Sequence, residues 1–475
     1  MASNKNNIKI HEHFKVVPPL SSIQSTTTTP LTFFDIIWLG FHPSERIYFY
    51  TLHDQHSHPS FFFQEIIPNL KSSLSLTLQH FLPLAGKIVW PSDSLKPFIQ
   101  FNPNDDDNGV SLLIVESDAD FNHVIGNSPH EASLTRSFIP NLESSDSFAS
   151  TMSLQITLFP NCGFSIGITT HHAVFDGKSL SMFVKAWACL CNKIIGFETP
   201  TLLPELEPLF NRDIIKGTNE NNAIEILSKI SPTEKGNKRS LKISPSEPKL
   251  EDSLRATFKL TRADLDKIKQ YVLSKWEIFN PNESKPETLS SFILTCAYSL
   301  VCIAKAIHGV EKEKEKFALV FVIDCRARLE SAIPSNYFGN CLLGDFIDTK
   351  PFDFKNEDGV FLVAKCIYEK IKMINEKGIF EEMIFDIFDR FKTLNNERYE
   401  IFGVAGSGSN RFCVYKNDFG YGRLEKVEIV SIDRDLSIGF GDSKDGNGGV
   451  EIGLVLNKHV MDLFSTFFLE GLCGN

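Results

Sequence analysis

The chain has 475 residues, 42% hydrophobic and 23% charged, a globular composition that excludes wholesale disorder, a collagen-like repeat and a disulfide miniprotein, and leaves room for two or three domains or lobes. Lys plus Arg number 48 and Asp plus Glu 59, a net charge of -11 that argues against a general nucleic-acid binder, which needs a basic face to displace counterions. The longest apolar run, residues 317–323, is far too short to span a bilayer, and residues 1–9 are polar with no apolar signal core. The Cys are scattered without a C-x-x-C pair, so the expectation is a cytoplasmic protein with reduced thiols, in which the sequon Asn282-Glu283-Ser284 stays unmodified.

In chain order, His53, Asp54, His56 and His58 stand in a polar segment before Pro59. Their spacing matches no metal template, and an exposed loop is expected. Residues 74–84 read as a helix closed by a Pro turn, followed by a strand at 88–90. Asp105-Asp106-Asp107-Asn108-Gly109 is a turn between strands. Phe164, Ile166 and Ile168 alternate with Ser165, Gly167 and Thr169, the pattern of a strand with one buried face. Beyond Asp176-Gly177, residues Leu180, Phe183, Val184, Trp187, Leu190 and Cys191 recur at helical spacing. Residues 195–250 lose periodicity and read as a connection between two halves. In the second half Leu254, Ala256, Phe258 and Leu260 alternate with Arg255, Thr257 and Lys259. A helix is expected at 288–307 with Thr288 as N-cap, a solvated turn or helix end at 311–316, a strand at 317–323, amphipathic helices at 359–374 and 380–392, and strands and turns over 425–457. Mixed strands and helices without an internal repeat predict two α/β lobes, residues 1–195 and 251–475, joined by a crossover at 196–250.

The strongest local signal for chemistry is Thr170-His171-His172-Ala173-Val174-Phe175-Asp176-Gly177. A His at a strand end before a tight turn can be held rigidly at a cleft. Its ordinary pKa of about 6.5 leaves it mostly neutral at pH 7 and able to take a proton from a hydroxyl or amine attacking a carbonyl. Asp176 can orient that His, or turn away, cap the next helix and pair with a basic side chain. Gly177 permits an unusual backbone angle. Gly163-Phe164-Ser165-Ile166-Gly167 has the spacing of a serine-hydrolase elbow, but the strand pattern continues past it and leaves no room for the turn. Gly177-Lys178-Ser179 resembles the end of a P-loop, yet His172 occupies the position where the loop needs Gly.

Three motifs in one order carry a resemblance. His172-Ala173-Val174-Phe175-Asp176-Gly177 resembles the HxxxD motif of the plant acyl-CoA-dependent acyltransferases, the BAHD family, and Asp418-Phe419-Gly420-Tyr421-Gly422 resembles that family's DFGWG motif. Tyr337-Phe338-Gly339-Asn340-Cys341 resembles the YFGNC signature of its branch that acylates anthocyanin and flavonoid glycosides. Phe34-Asp35, Leu82-Pro83-Leu84-Ala85-Gly86 and Asp324-Cys325-Arg326-Ala327-Arg328-Leu329 extend the likeness along the chain. The resemblance implies a two-lobed, chloramphenicol-acetyltransferase-like α/β fold, each lobe a mixed sheet with flanking helices, with a solvent channel between them. It implies His172 as general base, Asp176 with Gly177 as structural support, and no metal or permanently bound cofactor. For Asp418 it implies a mostly structural role, with a catalytic one sometimes proposed. An ion pair from Asp418 to Arg326 or Arg328 is expected. Tyr421 stands where Trp is usual and leaves that loop's role in doubt.

The implied substrates are an acyl-CoA, most often malonyl-CoA, and a sugar hydroxyl of a flavonoid, anthocyanin or phenolic glucoside; some members use hydroxycinnamoyl donors. The phosphates of CoA need cations and free N–H groups, which nominates Lys259 and the helix-opening Ser290 and Ser291. Lys178 stands near the His in sequence and is a cation that a malonyl carboxylate would want. A channel internal to one chain leads us to expect a monomer. Two competing readings are a condensation domain of peptide synthesis, which shares the His-His-x-x-x-Asp-Gly string but normally lacks the other two motifs, and a non-catalytic small-molecule-binding relative.

Overall fold

A computed structural model of the chain describes residues 7–19, 25–53, 56–215, 224–227, 239–243, 251–308, 316–349, 357–378, 394, 399–405 and 412–473. Asp54, the segment 311–315, the expected helix at 380–392 and, within the crossover, residues 216–223, 228–238 and 244–250 lie outside the described residues.

The first half contributes strands β1 (Ile8–Val16), β2 (Thr27–Pro30), β3 (Ser44–Leu52), β4 (Lys87–Val89), β5 (Phe98–Phe101), β6 (Val110–Ser117), β7 (His130–Glu131), β8 (Phe148–Ser150), β9 (Met152–Phe159) and β10 (Gly163–Thr170). The second half contributes β11 (Ser253–Leu260), β12 (Lys316–Asp324), β13 (Leu342–Thr349), β14 (Tyr399–Ala405), β15 (Gly422–Ile429), β16 (Ser437–Asp442) and β17 (Val450–Asn457). The helices used below are α1 (Phe33–Ile36), α2 (Ile67–His80), α3 (Gly177–Ile195), α4 (Arg262–Phe279), α5 (Ser291–His308), α6 (Gly359–Lys377) and α7 (Lys458–Cys473).

Among the described residues the strands form a six-stranded sheet, β1-β6-β9-β10-β3-β15, a seven-stranded sheet, β13-β12-β14-β16-β17-β11-β7, and a small sheet, β2-β5-β4-β8. Both large sheets are mixed: β6 runs parallel to β9, and β12 parallel to β14, among antiparallel neighbours. The halves exchange strands. β15 from the second half closes the edge of the six-stranded sheet against β3, and β7 from the first half adds to the edge of the seven-stranded sheet against β11.

β10 carries the alternation read from the sequence, but all eight of its residues are buried. The side holding Phe164, Ile166 and Ile168 joins the main core. The other side is roofed by the segment at 138–140: a Cβ on Gly167 would stand 2.0 Å from the Phe138 carbonyl, and Thr169 Oγ1 donates to the Pro140 carbonyl at 2.6 Å. Small and hydroxylic residues on that face therefore mark a close covering backbone. Ser165 is mid-strand and buried, with no elbow at it.

α3 starts where Asp176 accepts the Ser179 N–H at 3.0 Å, and Gly177 is its first residue, without a left-handed backbone angle. Leu180, Phe183, Val184, Trp187, Leu190 and Cys191 are all buried, as their spacing requires. Trp187 Nε1 donates to Leu70 O at 3.2 Å and Ser73 Oγ at 3.1 Å on α2, fixing the two helices together. α5 begins later than expected. Ser290 caps it, its Oγ accepting the Ile293 N–H at 3.3 Å, while Thr288 is exposed. Helices α5, α6 and α7 pack together on one face of the seven-stranded sheet, where Phe258 meets Phe464 and Phe468.

The opposite face of that sheet turns toward the six-stranded one. Arg255, one residue from Ala256 of the helix-facing row, is buried there and donates to Ile429 O at 2.8 Å and Val430 O at 2.9 Å. Glu428 and Asp433 lie beside it, Lys426 pairs with Glu428 at 2.7 Å, and Arg136 bridges Glu45 and Asp433. This buried ionic cluster joins the two halves.

Candidate active site

β10 delivers His171 and His172 at its end, and a turn closed by the Val174 N–H on the His171 carbonyl leads into α3. The two imidazoles have different environments. His171 is fully buried, its Nδ1 accepting the Ala173 N–H at 3.2 Å, and burial pushes its pKa down to about 3. His172 is partly exposed, and its ring is stacked on Trp38, with centroids 4.2 Å apart and planes at 23°. Phe41, 48% exposed, lies 6.1 Å from the same ring. Burial first, then the charge of His42, push His172 down to about 4, against small opposing effects of its own main-chain carbonyl and Asp176. The ring is therefore neutral at pH 7 and able to accept a proton.

Asp176 turns away from His172. Its Oδ1 accepts the Ser179 N–H, while Oδ2 accepts the Cys341 N–H at 3.2 Å and pairs with Arg326 Nη1 at 2.8 Å. Burial alone would raise this carboxyl, but the Arg326 charge and these hydrogen bonds outweigh it and hold it below the usual range. Of the two arrangements open to Asp176 in the sequence, the chain takes the second: helix cap and ion pair.

The loop at 337–341 completes the arrangement from the second half. Asn340 Nδ2 donates to the His172 carbonyl at 3.0 Å, and Gly339 O accepts from Arg326 Nη2 and from Ser179 Oγ, each at 3.1 Å. Arg212, from the start of the crossover, donates to Phe338 O at 2.6 Å and lies so close that a Cβ on Gly339 would stand 1.9 Å from its Nη1.

Asp418 is not brought to His172. It is exposed, its Oδ1 accepts the Gly420 N–H at 2.7 Å in a turn where Gly420 takes φ +85°, and its carbonyl accepts from Asn192 near the end of α3. Four turns of helix separate Asn192 from Gly177, roughly 20 Å at 1.5 Å per residue. Neither expected partner pairs with it: Arg326 is held by Asp176 and Asp324, and Arg328 donates to Asn375 and the Asp324 carbonyl. Phe419 wedges edge-on against Trp187 and Tyr50, and Tyr421 OH accepts from Asn69 Nδ2 at 2.6 Å. The smaller ring at 421 thus gains a hydroxyl contact.

Lys259 and Ser290–Ser291 lie on different surfaces. Lys259 points away from the helix-facing Phe258 row and pairs with Asp445 at 2.5 Å, whereas Ser290 and Ser291 open α5 on the helix face. They share one end of the sheet, because Phe292 of α5 packs on Phe321 and Phe440 near the end where β11 finishes. Between the two sheets runs a cleft lined by Arg46, Thr257, Tyr415, Asp442 and Glu451, in which burial raises both carboxyls. His58 Nδ1 accepts the Ser60 N–H and His56 stacks on Phe61.

Sequence reasoning missed Trp38 as the partner of His172 and the Asp176–Arg326 pair. Trp38 follows the quoted Phe34-Asp35 and Arg326 stands inside a quoted string, so both carried a signal, but no local pattern joins them to the His.

The chain matches the model of the Transferase family over residues 7–469. It is 38% identical over 477 aligned positions to phenolic glucoside malonyltransferase 1 of Arabidopsis thaliana, covering 98% of each chain. It is 37% identical to malonyl-CoA:anthocyanidin 5-O-glucoside-6''-O-malonyltransferase of the same plant, covering 99% of this chain and 100% of the relative. The crystal structure of vinorine synthase superposes with a TM-score of 0.70 at 18% identity over 98% of both chains, a likeness of fold.

Proposed function

We propose the following reaction for this chain, which belongs to the Transferase family and is an acyl-CoA-dependent acyltransferase: it moves a malonyl group from malonyl-CoA to a sugar hydroxyl of a phenolic or anthocyanin glucoside. His172 takes the proton of the acceptor hydroxyl as the oxygen attacks the thioester carbonyl. The tetrahedral intermediate collapses, the C–S bond breaks, and the departing sulfur takes the proton back from His172. One base serves both transfers and no acyl-enzyme forms. Asp176 supports the turn and takes no proton. Lys259, Ser290 and Ser291 approach CoA around the end of the seven-stranded sheet, and Asp418 with Tyr421 holds β15 to α3.

The observation that carries this reading is an imidazole at a strand end, partly open to solvent and stacked on Trp38, whose neighbouring carboxylate is fully engaged elsewhere. In the described residues no helix is long and apolar enough to cross a membrane. The test is release of CoA thiol from malonyl-, acetyl- and coumaroyl-CoA, each with a panel of phenolic and flavonoid glucosides and their aglycones. Malonyl-CoA with a glucoside is expected to give the highest kcat/KM. Preference for coumaroyl-CoA, or equal turnover of aglycones, would contradict the substrate assignment.

A further inference from the structure

Asn340 is fully buried, and its side-chain amide touches two groups that accept hydrogen bonds and donate none. Nδ2 donates to the His172 main-chain oxygen at 3.0 Å and to Asp35 Oδ1 at 3.1 Å, and the Asn340 main-chain N–H donates to the same carboxylate oxygen at 3.0 Å. Oδ1 of the amide is buried without a partner. This fixes the amide's orientation: flipped, its oxygen would face a carbonyl and a carboxylate. No residue other than Asn has two N–H groups at this reach.

The second partner matters as much as the first. Asp35 lies on α1, and its other oxygen accepts the Thr32 N–H and Oγ1–H, both at 2.8 Å. Three residues further on, in the turn that ends α1, Trp38 donates its main-chain N–H to the Asp35 carbonyl at 3.1 Å, and its ring lies under the His172 imidazole. Asn340 therefore ties the main chain of His172 to the helix whose closing turn carries the ring stacked on it. The residues flanking it tie the other end of the motif: Gly339 to Ser179 and Arg326, Cys341 to Asp176. The ring itself has no such tether, since its Nδ1 is buried without a hydrogen-bond partner.

We propose that Asn340 is the positioning residue of the base: its two N–H bonds set where the His172 backbone lies relative to α1, and so hold the imidazole against Trp38 at the point of proton transfer. This rests on the reading of His172 as the base. A loosened loop lets the ring lift from Trp38 into water, which misplaces it toward the acceptor and restores its ordinary basicity, since solvent then screens it from His42 and relieves its burial beside His171 and Asp176.

The test compares Asn340→Ala, Asn340→Ser and Asn340→Asp with the unmodified chain, each rate expressed per molecule able to bind CoA by calorimetry. Ser keeps a short polar group with a single O–H for Asp35, and so decides the matter if Ala does not fold. For Ala and Ser, kcat is expected to fall about 10- to 100-fold with KM for malonyl-CoA within about twofold, and for Asp further, because misplacing a reacting group by an ångström costs on that order. The acid limb of kcat against pH should move upward in the same variants. A kcat within about threefold of the parent, or a reduced kcat with the limb unmoved, would overturn the positioning role. If His172→Ala keeps turnover, the reading of the base has failed. If His172→Ala is inactive and the Asn340 variants are not impaired, only this inference has failed.

Discussion

In the proposed reaction the deciding residue is an imidazole made neutral by its surroundings. His172 sits near 4 and His171 near 3, both below the ordinary 6.5, because burial disfavours the charged ring. The sign of the linkage follows. Between the folded and unfolded values the unfolded chain binds more protons, so stability is full above about pH 6.5 and is lost as pH falls toward 4, at roughly 1.4 kcal/mol per pH unit for each ring. Denaturant melts at pH 7.5, 6 and 5 should show this loss, and His171→Gln should reduce its slope; a flat profile would contradict the lowered pKa of the two rings. Trp38 is the second residue at this scale. Trp38→Ala removes the surface against which the ring rests, and kcat is expected to drop about tenfold or more with KM for malonyl-CoA little changed. An unaffected kcat would show that the stack does not orient the base. His172 was legible in the sequence because its motif is short and contiguous. Trp38 and Asn340 were not legible as its partners, because they reach it across long stretches of chain.

At the level of elements, the turn from β10 into α3 depends on a carboxylate shared between a helix cap and an arginine from the second half. Asp176→Asn keeps the shape and removes the charge, leaving Arg326 buried with only Asp324 and a carbonyl. Stability is expected to fall by about 3 kcal/mol, the scale for breaking a buried pair, while the folded fraction retains turnover within about tenfold. A loss of kcat as deep as that of His172→Ala would place Asp176 in the proton transfer. The loop at 418–422 makes a smaller claim. Tyr421→Phe deletes the Asn69 bond and should cost about 1 kcal/mol in melting experiments without changing KM for either substrate. Helical spacing located α3 and α6, and alternation located β10 and β11. What alternation left open was the second face: Ser165, Gly167 and Thr169 read as a polar side and are roofed by backbone, and Arg255 is buried in the ionic cluster. A polar residue on a covered face reads like one on a wet face until its partner is known.

For the whole molecule, the two halves are joined by strand exchange and by charge. β15 crosses into the six-stranded sheet and β7 into the seven-stranded one, and Arg255 with Glu428 and Asp433 fills the space between. No boundary in the sequence announces the exchange, because β15 follows the 418–422 loop without any break in composition. Arg255→Ala would leave the buried Glu428 to Lys426 alone and Asp433 to Arg136 alone, and would strand the Ile429 and Val430 carbonyls; a loss of about 3 kcal/mol is expected. Groups from both halves thus meet around the turn that holds His172: Trp38 and β10 from one, Asn340 on the His172 carbonyl and Arg326 on Asp176 from the other. The proposed reaction requires this single imidazole to move the proton in direct transfer between two bound reactants. Stopped-flow thiol release with malonyl-CoA and a phenolic glucoside tests it most directly, with His172→Ala beside the parent and acceptor-free controls for both. The parent should release thiol only when acceptor is present, and His172→Ala should be slower by about 10²–10⁴-fold with malonyl-CoA still bound; a thiol burst without acceptor, or release undiminished in His172→Ala, would contradict it.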